Sequence, residues 1–187
     1  MIKFGIIGAG NIAHTFAEAL SATEGEAYAV ASRNMAKAEA FKDKHQFKKA
    51  YDSYQDLYQD EAVDCVYIAT PHGLHYEHMM EALDYNKPII CEKAFTLNSV
   101  QAQAVYDKAH QRGVFVLEAM WTRFLPTIQA VVKAVNDGVI GDVVELNANF
   151  HFQPDKHDEH RLFNPALGGG ALLDIGIYPI TLANLIL

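Results

Sequence analysis

The chain has 187 residues, half of them hydrophobic, and its 15 basic and 23 acidic side chains leave a formal net charge of −8. That length holds one full domain and the start of a second, and is short for two. The basic residues are scattered, which gives no electrostatic footprint for nucleic acid or an anionic membrane surface and leaves a small molecule as the expected partner.

From the N-terminus, the short apolar run 3–7 reads as a strand, not a signal peptide. Gly8-Ala9-Gly10-Asn11-Ile12-Ala13 follows it directly. A helix at 11–20, a strand at 27–32, a helix at 35–45 and a short helix at 54–59 come next. The alternation continues with a strand at 63–69, a helix at 75–85, a strand at 88–91, a helix at 99–112 and a strand at 113–117. Strands that alternate with amphipathic helices specify a parallel sheet covered on both faces, the doubly wound Rossmann type. Asn98 and Gln101 form a capping signal for the helix at 99–112, and Gly113 a stop.

Beyond Glu118 the rhythm changes. A helix is expected at 122–137, stopped by Gly138, then a long alternating strand at 143–152, a polar loop at 153–165 and a helical piece at 168–187. The organisation expected is a dinucleotide-binding domain over 1–120 and the beginning of an α+β substrate domain over 121–187. No apolar stretch is expected to span a membrane. Cys65 and Cys91 sit at the ends of buried-strand runs, so no disulfide framework is expected and a reducing cytoplasm is.

The Gly8 to Ala13 turn matches the GxGxxG pattern with alanine at the last place. Gly8 permits the tight turn, Gly10 lets backbone approach a pyrophosphate, and Asn11 and Ile12 open a helix whose N–H groups and dipole favour phosphate. Glycine turns also simply join strands to helices, but here the strand, helix and second strand stand at the expected distances. Where an NAD-binding chain usually places an acid against the ribose hydroxyls, this one reads Ala31-Ser32-Arg33-Asn34. Ser32 and Arg33 suit the 2′-phosphate of NADP, with NAD the lesser candidate, although Arg33 also reads as a solvated loop arginine.

Three further segments resemble the Gfo/Idh/MocA oxidoreductases. They are Ala69-Thr70-Pro71-His72-Gly73-Leu74-His75 leading to Cys91-Glu92-Lys93-Ala94, then Glu118-Ala119-Met120-Trp121-Thr122-Arg123-Phe124, then the stretch from Gly168 to Tyr178. The last two are most similar to the dihydrodiol dehydrogenase branch. Ala94 stands where the family's Glu-Lys-Pro signature has proline, which leaves the lysine in place.

The resemblance implies hydride transfer between a nicotinamide and a hydroxyl or carbonyl carbon of a sugar, polyol or cyclic diol. It implies that Lys93, Asp174 and Tyr178 serve the proton, with Tyr178 the acid or base assisted by the Lys93 cation, or Lys93 itself in that role. It brings Lys93, Trp121 and Arg123 to the cofactor and Lys93, Asp174 and Tyr178 to the substrate. Thr70 and Glu92 stand with them as cofactor-site candidates, His75 near the end of the fourth strand reads as lining the cofactor cleft, and Arg161 and Asn164, in the loop before the glycine triplet, are candidate contacts for a polar substrate. Read without it, Asp174 and Tyr178 are an acid near a helix start and a half-buried aromatic four residues on. Lys93 alone is a solvated charge, and Trp121 with Arg123 reads equally as packing between domains. Pro179 is expected to loosen the helix just past Tyr178.

His72, His75 and His78 recur every three residues and fan around a helix, so no metal site is expected. The run from Asp155 to His160 reads as a solvated loop. Tyr51, Tyr54 and Tyr58 read as a packed helical face. The apolar ending implies cover by another copy, as a homo-oligomer, or by further chain. A non-catalytic dinucleotide-binding remnant is the alternative to an active oxidoreductase.

Overall fold

The computed structural model describes residues 1–153 and 162–187, and it divides into two compact units, Met1–Ala119 and Met120–Leu187. In the first unit β1 (Lys3–Ile7), β2 (Glu26–Ala31), β3 (Lys49–Tyr51), β4 (Cys65–Ile68), β5 (Ile89–Glu92) and β6 (Val116–Ala119) form one six-stranded sheet in the order β3-β2-β1-β4-β5-β6. Every pairing is parallel. Around it lie α1 (Asn11–Leu20), α2 (Met35–His45), α3 (Tyr54–Gln59), α4 (His75–Asp84) and α5 (Ser99–Arg112).

Neighbouring residues of each strand enter opposite faces of the sheet, and both faces are buried. Ile6, Val30 and Tyr67 pack with Ala13 and Ala17 of α1 and Phe41 of α2. Ile7, Ala29, Ala31, Val66 and Ile68 pack with Leu57 of α3, Met79 and Leu83 of α4 and Val105 of α5. Two helical layers on one parallel sheet confirm the doubly wound α/β fold. Cys65 and Cys91 are buried and free.

Local signals explain the helix ends. Asn34 Oδ1 accepts from Lys37 N–H at 3.1 Å, and Asn98 Oδ1 accepts from Gln101 N–H at 3.0 Å. Gln101 Oε1 reaches back to Leu97 N–H at 3.1 Å, and Gly113 closes α5 at φ +64°. Each cap satisfies an N–H that the helix itself leaves open.

Three expectations need correction. The third strand, Lys49–Tyr51, was not anticipated, and Tyr51 belongs to it and not to a helical face with Tyr54 and Tyr58. Only three residues long and on the sheet edge, it has too little pattern to be seen. Residues 143–152 form no strand, since alternation makes a strand only where a neighbour supplies ladder hydrogen bonds and none does among the described residues. The expected helix at 122–137 is instead a 3₁₀ turn at Trp121–Phe124 followed by α6 (Pro126–Asn136), with Pro126 fitting the first helical position.

The second unit continues with a 3₁₀ turn at Pro165–Leu167, a π-helical turn at Leu172–Gly176 and α7 (Ile177–Ile186). The irregularity therefore precedes Tyr178, whereas loosening was expected past it. Pro179 follows the π turn directly within a continuous helical run and removes one backbone donor from it. Joined end to end, Pro165–Ile186 makes a helical stretch of 22 residues that reaches the length and apolar composition of a membrane span. Gly168 to Gly170 and Asp174 interrupt that run in sequence, and the mixed helical turns carry the chain across the interruptions.

Candidate active site

The site residues expected in the first unit all stand at the C-terminal ends of parallel strands. Gly8 follows β1, Ser32 follows β2, Thr70 lies just past β4, and Glu92 ends β5 with Lys93 next. Between β1 and β4 the strand order reverses, which opens a crevice of the kind in which such sheets bind ligands.

Gly8 has φ +90°, and a Cβ on it would lie 3.0 Å from the Ala69 carbonyl oxygen, so both its conformation and its neighbour require glycine. Gly10 is different. Its backbone is extended, and a Cβ there would meet nothing within 4 Å. The protein's own packing therefore does not demand glycine at this place, whereas a closely approaching ligand would. Gly10 caps α1 without any side-chain hydrogen bond, and no acidic residue occupies the first turn. The N–H groups of that turn face an open space suited to a pyrophosphate, and Ala13, fully buried, lets the helix lie close on the sheet.

At the end of β2, Ser32 is buried and its Oγ accepts from Asn34 N–H at 3.4 Å. Arg33 is exposed beside the Tyr54 phenol. Burial raises the Tyr54 pKa, and the Arg33 charge opposes that shift. The Tyr54 ring meets His78 edge-on at 5.0 Å, and His78 Nδ1 lies 2.9 Å from Thr70 Oγ1.

His75 has no exposed surface. Its ring nitrogens lie 2.8 Å from the carbonyl oxygens of Ala94 and Thr70. Two such acceptors favour a doubly protonated ring, but burial outweighs them and holds the pKa at about 4. The ring is therefore neutral at pH 7, donates its single N–H to one of the two carbonyls, and packs between the loop after β4 and the turn after β5. It does not line the cleft, as expected of it, because no part of it is open to a ligand. His72 meets His75 edge-on at 6.5 Å while His78 turns toward Thr70 and Tyr54, so the three rings diverge.

Glu92 is buried, and its Oε2 accepts the Lys93 backbone N–H at 3.2 Å. Its Oε1 accepts the hydroxyl of Tyr67, on β4. Burial raises the Glu92 pKa, against which Tyr67 and the Lys93 backbone favour the charged form. Lys93 is half-buried and joined to Ala94 by a cis peptide. Tyr67 escaped the sequence reading. It lies inside the apolar run of β4, where no alternation marks which way a side chain points, and its partner is 25 residues away.

In the second unit Trp121 Nε1 donates to the Tyr178 hydroxyl at 3.1 Å, with ring centroids 5.6 Å apart. Phe150 meets Tyr178 edge-on at 5.2 Å. Asp174 is buried in the π turn, Arg123 is exposed, and Asn164 caps the turn after it by accepting Ala166 N–H at 3.0 Å. Arg161 and the run from Asp155 to His160 lie outside the described residues.

Comparison with known proteins agrees with this geometry. Residues 2–120 match the profile described as "Oxidoreductase family, NAD-binding Rossmann fold", and residues 128–187 match the Gfo/Idh/MocA C-terminal domain. The chain is 37% identical to a D-xylose 1-dehydrogenase (NADP(+)) of Hypocrea jecorina, over 96% of this chain and 51% of that protein. It is 36% identical to the trans-1,2-dihydrobenzene-1,2-diol dehydrogenase of Mus musculus, over 99% of this chain and 56% of that one. A crystal structure of a 3-ketoreductase from Actinomadura kijaniata in complex with NADP and TDP-benzene superposes with a TM-score of 0.92 at 33% identity, covering 99% of this chain and 57% of the other. The chain thus spans about half the length of the curated relatives it matches.

Proposed function

Since the chain belongs to the Gfo/Idh/MocA oxidoreductase family, we propose that its first unit, Met1–Ala119, holds NADP in preference to NAD. We propose further that the protein transfers a hydride between the nicotinamide and a hydroxyl or carbonyl carbon of a sugar, polyol or cyclic diol. The observation that carries the first part is the Gly8 to Gly10 turn at the reversal of strand order, with open space over Gly10. Ser32 and Arg33 at the end of β2, where an acid would repel a 2′-phosphate, support NADP.

When bound, the nicotinamide supplies the hydride acceptor or donor. The protein's share is the proton and the orientation. Lys93, held by the turn that Glu92 and His75 fasten, is assigned the charge that favours an ionised hydroxyl. Tyr178 is assigned the proton donor or acceptor, with Asp174 orienting the group that receives it. Trp121 and Arg123 are assigned to the cofactor, and Arg161 and Asn164 to a polar substrate. These roles rest on side-chain chemistry and on the likeness to relatives named as sugar and diol dehydrogenases.

A second reading is binding without turnover. What supports it is the second unit, where α6 buries no residue and α7 only Thr181. Those apolar surfaces equally support association with a second copy. The two buried, free thiols support a reducing compartment, the cytoplasm. Following NADPH absorbance with a panel of sugar and diketone carbonyls separates the readings: consumption supports the oxidoreductase, and cofactor binding with no consumption by any member supports the remnant.

A further inference from the structure

We propose that Tyr67 is a positioning residue that orients the Glu92 carboxylate, and through it the Lys93 turn, by a hydrogen bond donated from its hydroxyl; the inference deepens the dinucleotide-site reading and rests on it. Tyr67 is 2% exposed and Glu92 9%, so neither can be satisfied by bulk water. A buried phenol needs an acceptor, and a buried carboxylate is costly unless its oxygens are engaged. Each meets the other's need, for Tyr67 donates to Oε1 while the Lys93 backbone N–H takes Oε2.

What distinguishes this pair from ordinary core satisfaction is its place. Glu92 is the last residue of β5, at the C-terminal end of the sheet where the Gly8 turn, Thr70 and Lys93 also stand. The Tyr67 ring is stacked on Phe16 of α1, with centroids 3.7 Å apart and planes 7° apart. Helix α1 begins at the glycine turn, so one phenol joins the helix that would face the phosphates to the turn that carries Lys93. The ring cannot swing away without leaving Phe16.

Three neighbouring groups bear on the carboxylate. Tyr67 faces it from β4, Lys93 follows it in the chain, and Glu118 faces it from β6 and accepts the Phe95 N–H at 2.9 Å. Burial and Glu118 disfavour a charged Glu92, whereas Tyr67 and Lys93 favour it. Loss of the phenol hydroxyl therefore lets Glu92 take a proton at higher pH.

The test is a pH titration of the 187-residue chain by infrared spectroscopy, following the carbonyl stretch of a buried, protonated carboxyl group. Tyr67→Phe keeps the ring and removes the donor. The midpoint of the Glu92 band should rise by about one to two pH units, the size of a hydrogen bond to a charged group. Glu92→Gln identifies the band by its disappearance; should that variant not fold, Glu118→Gln removes the neighbouring carboxyl and leaves the Glu92 band. Fluorotyrosine at position 67, a stronger donor of nearly the same shape, should move the midpoint down. An unmoved midpoint in both Tyr67 variants overturns the proposal. Because the titration needs no cofactor, a chain that fails to bind NADP would contradict the function and leave this result readable.

Discussion

Trp121 donates its indole N–H to the hydroxyl of Tyr178 at 3.1 Å, across 57 residues of sequence. The chain contains one tryptophan, so its fluorescence reports this contact directly. Replacing Tyr178 by Phe returns the indole N–H to water, and the emission maximum should move to the red with secondary structure unchanged. Emission identical to that of the parent chain would contradict the contact.

The two glycines of the first turn should respond differently to alanine. Gly8→Ala places a side chain at φ +90° against a carbonyl and should cost about 1–3 kcal/mol, read from denaturant unfolding. Gly10→Ala meets no protein atom within 4 Å and should change stability by less than about 0.5 kcal/mol. Its NADP affinity should nevertheless fall by about tenfold or more, because the added methyl occupies the space assigned to the pyrophosphate. Equal stability losses at both positions would refute the distinction.

His75 makes a pH prediction with a defined sign. Its folded pKa of about 4 lies below the ordinary value of 6.5, so between these limits the unfolded chain binds a proton that the folded one does not. The contribution is full above about pH 6.5 and is lost as pH falls toward 4, about 3 kcal/mol for a shift of that size. The difference in stability between the parent chain and His75→Gln, followed over that window, isolates it from His45 and His78, whose pKa values are lowered too. A constant difference from pH 4 to 7 would show that the ring is not held neutral.

Lys93→Met should leave NADP affinity within about threefold and reduce any NADPH consumption by about 10²-fold or more, the usual reach of a lost proton-transfer group. Stopped-flow absorbance gives turnover and fluorescence titration gives affinity. Undiminished turnover would remove Lys93 from the chemistry.

Much of the first unit was legible because α2, α3 and α5 carry side-chain caps, α1 opens at the glycine turn, and the strands other than β3 have their own apolar runs. The bounds of β1, α1, α2, α3 and α5 follow from residues such as Asn34, Asn98 and Gly113, whose effects are local. β3 was not legible, since Lys49, Ala50 and Tyr51 become a strand only by pairing with Ala29, Val30 and Ala31 of β2. Residues 143–152 failed for the converse reason: the alternation is present and the ladder partner is not. At the site, Gly8, Gly10 and Ser32 announce themselves by residue type at a fixed spacing. The burial of His75 and the Tyr67 to Glu92 hydrogen bond do not, because both depend on chains brought together by the sheet.

Calorimetric titration of the chain with NADP⁺ and, separately, NAD⁺, with Arg33→Ala alongside, decides whether the first unit holds NADP. Both nucleotides should bind saturably, NADP⁺ tighter by about tenfold or more, and most of that preference should be lost in Arg33→Ala while NAD⁺ affinity holds. Binding of neither nucleotide, or tighter binding of NAD⁺, would rule out the NADP site.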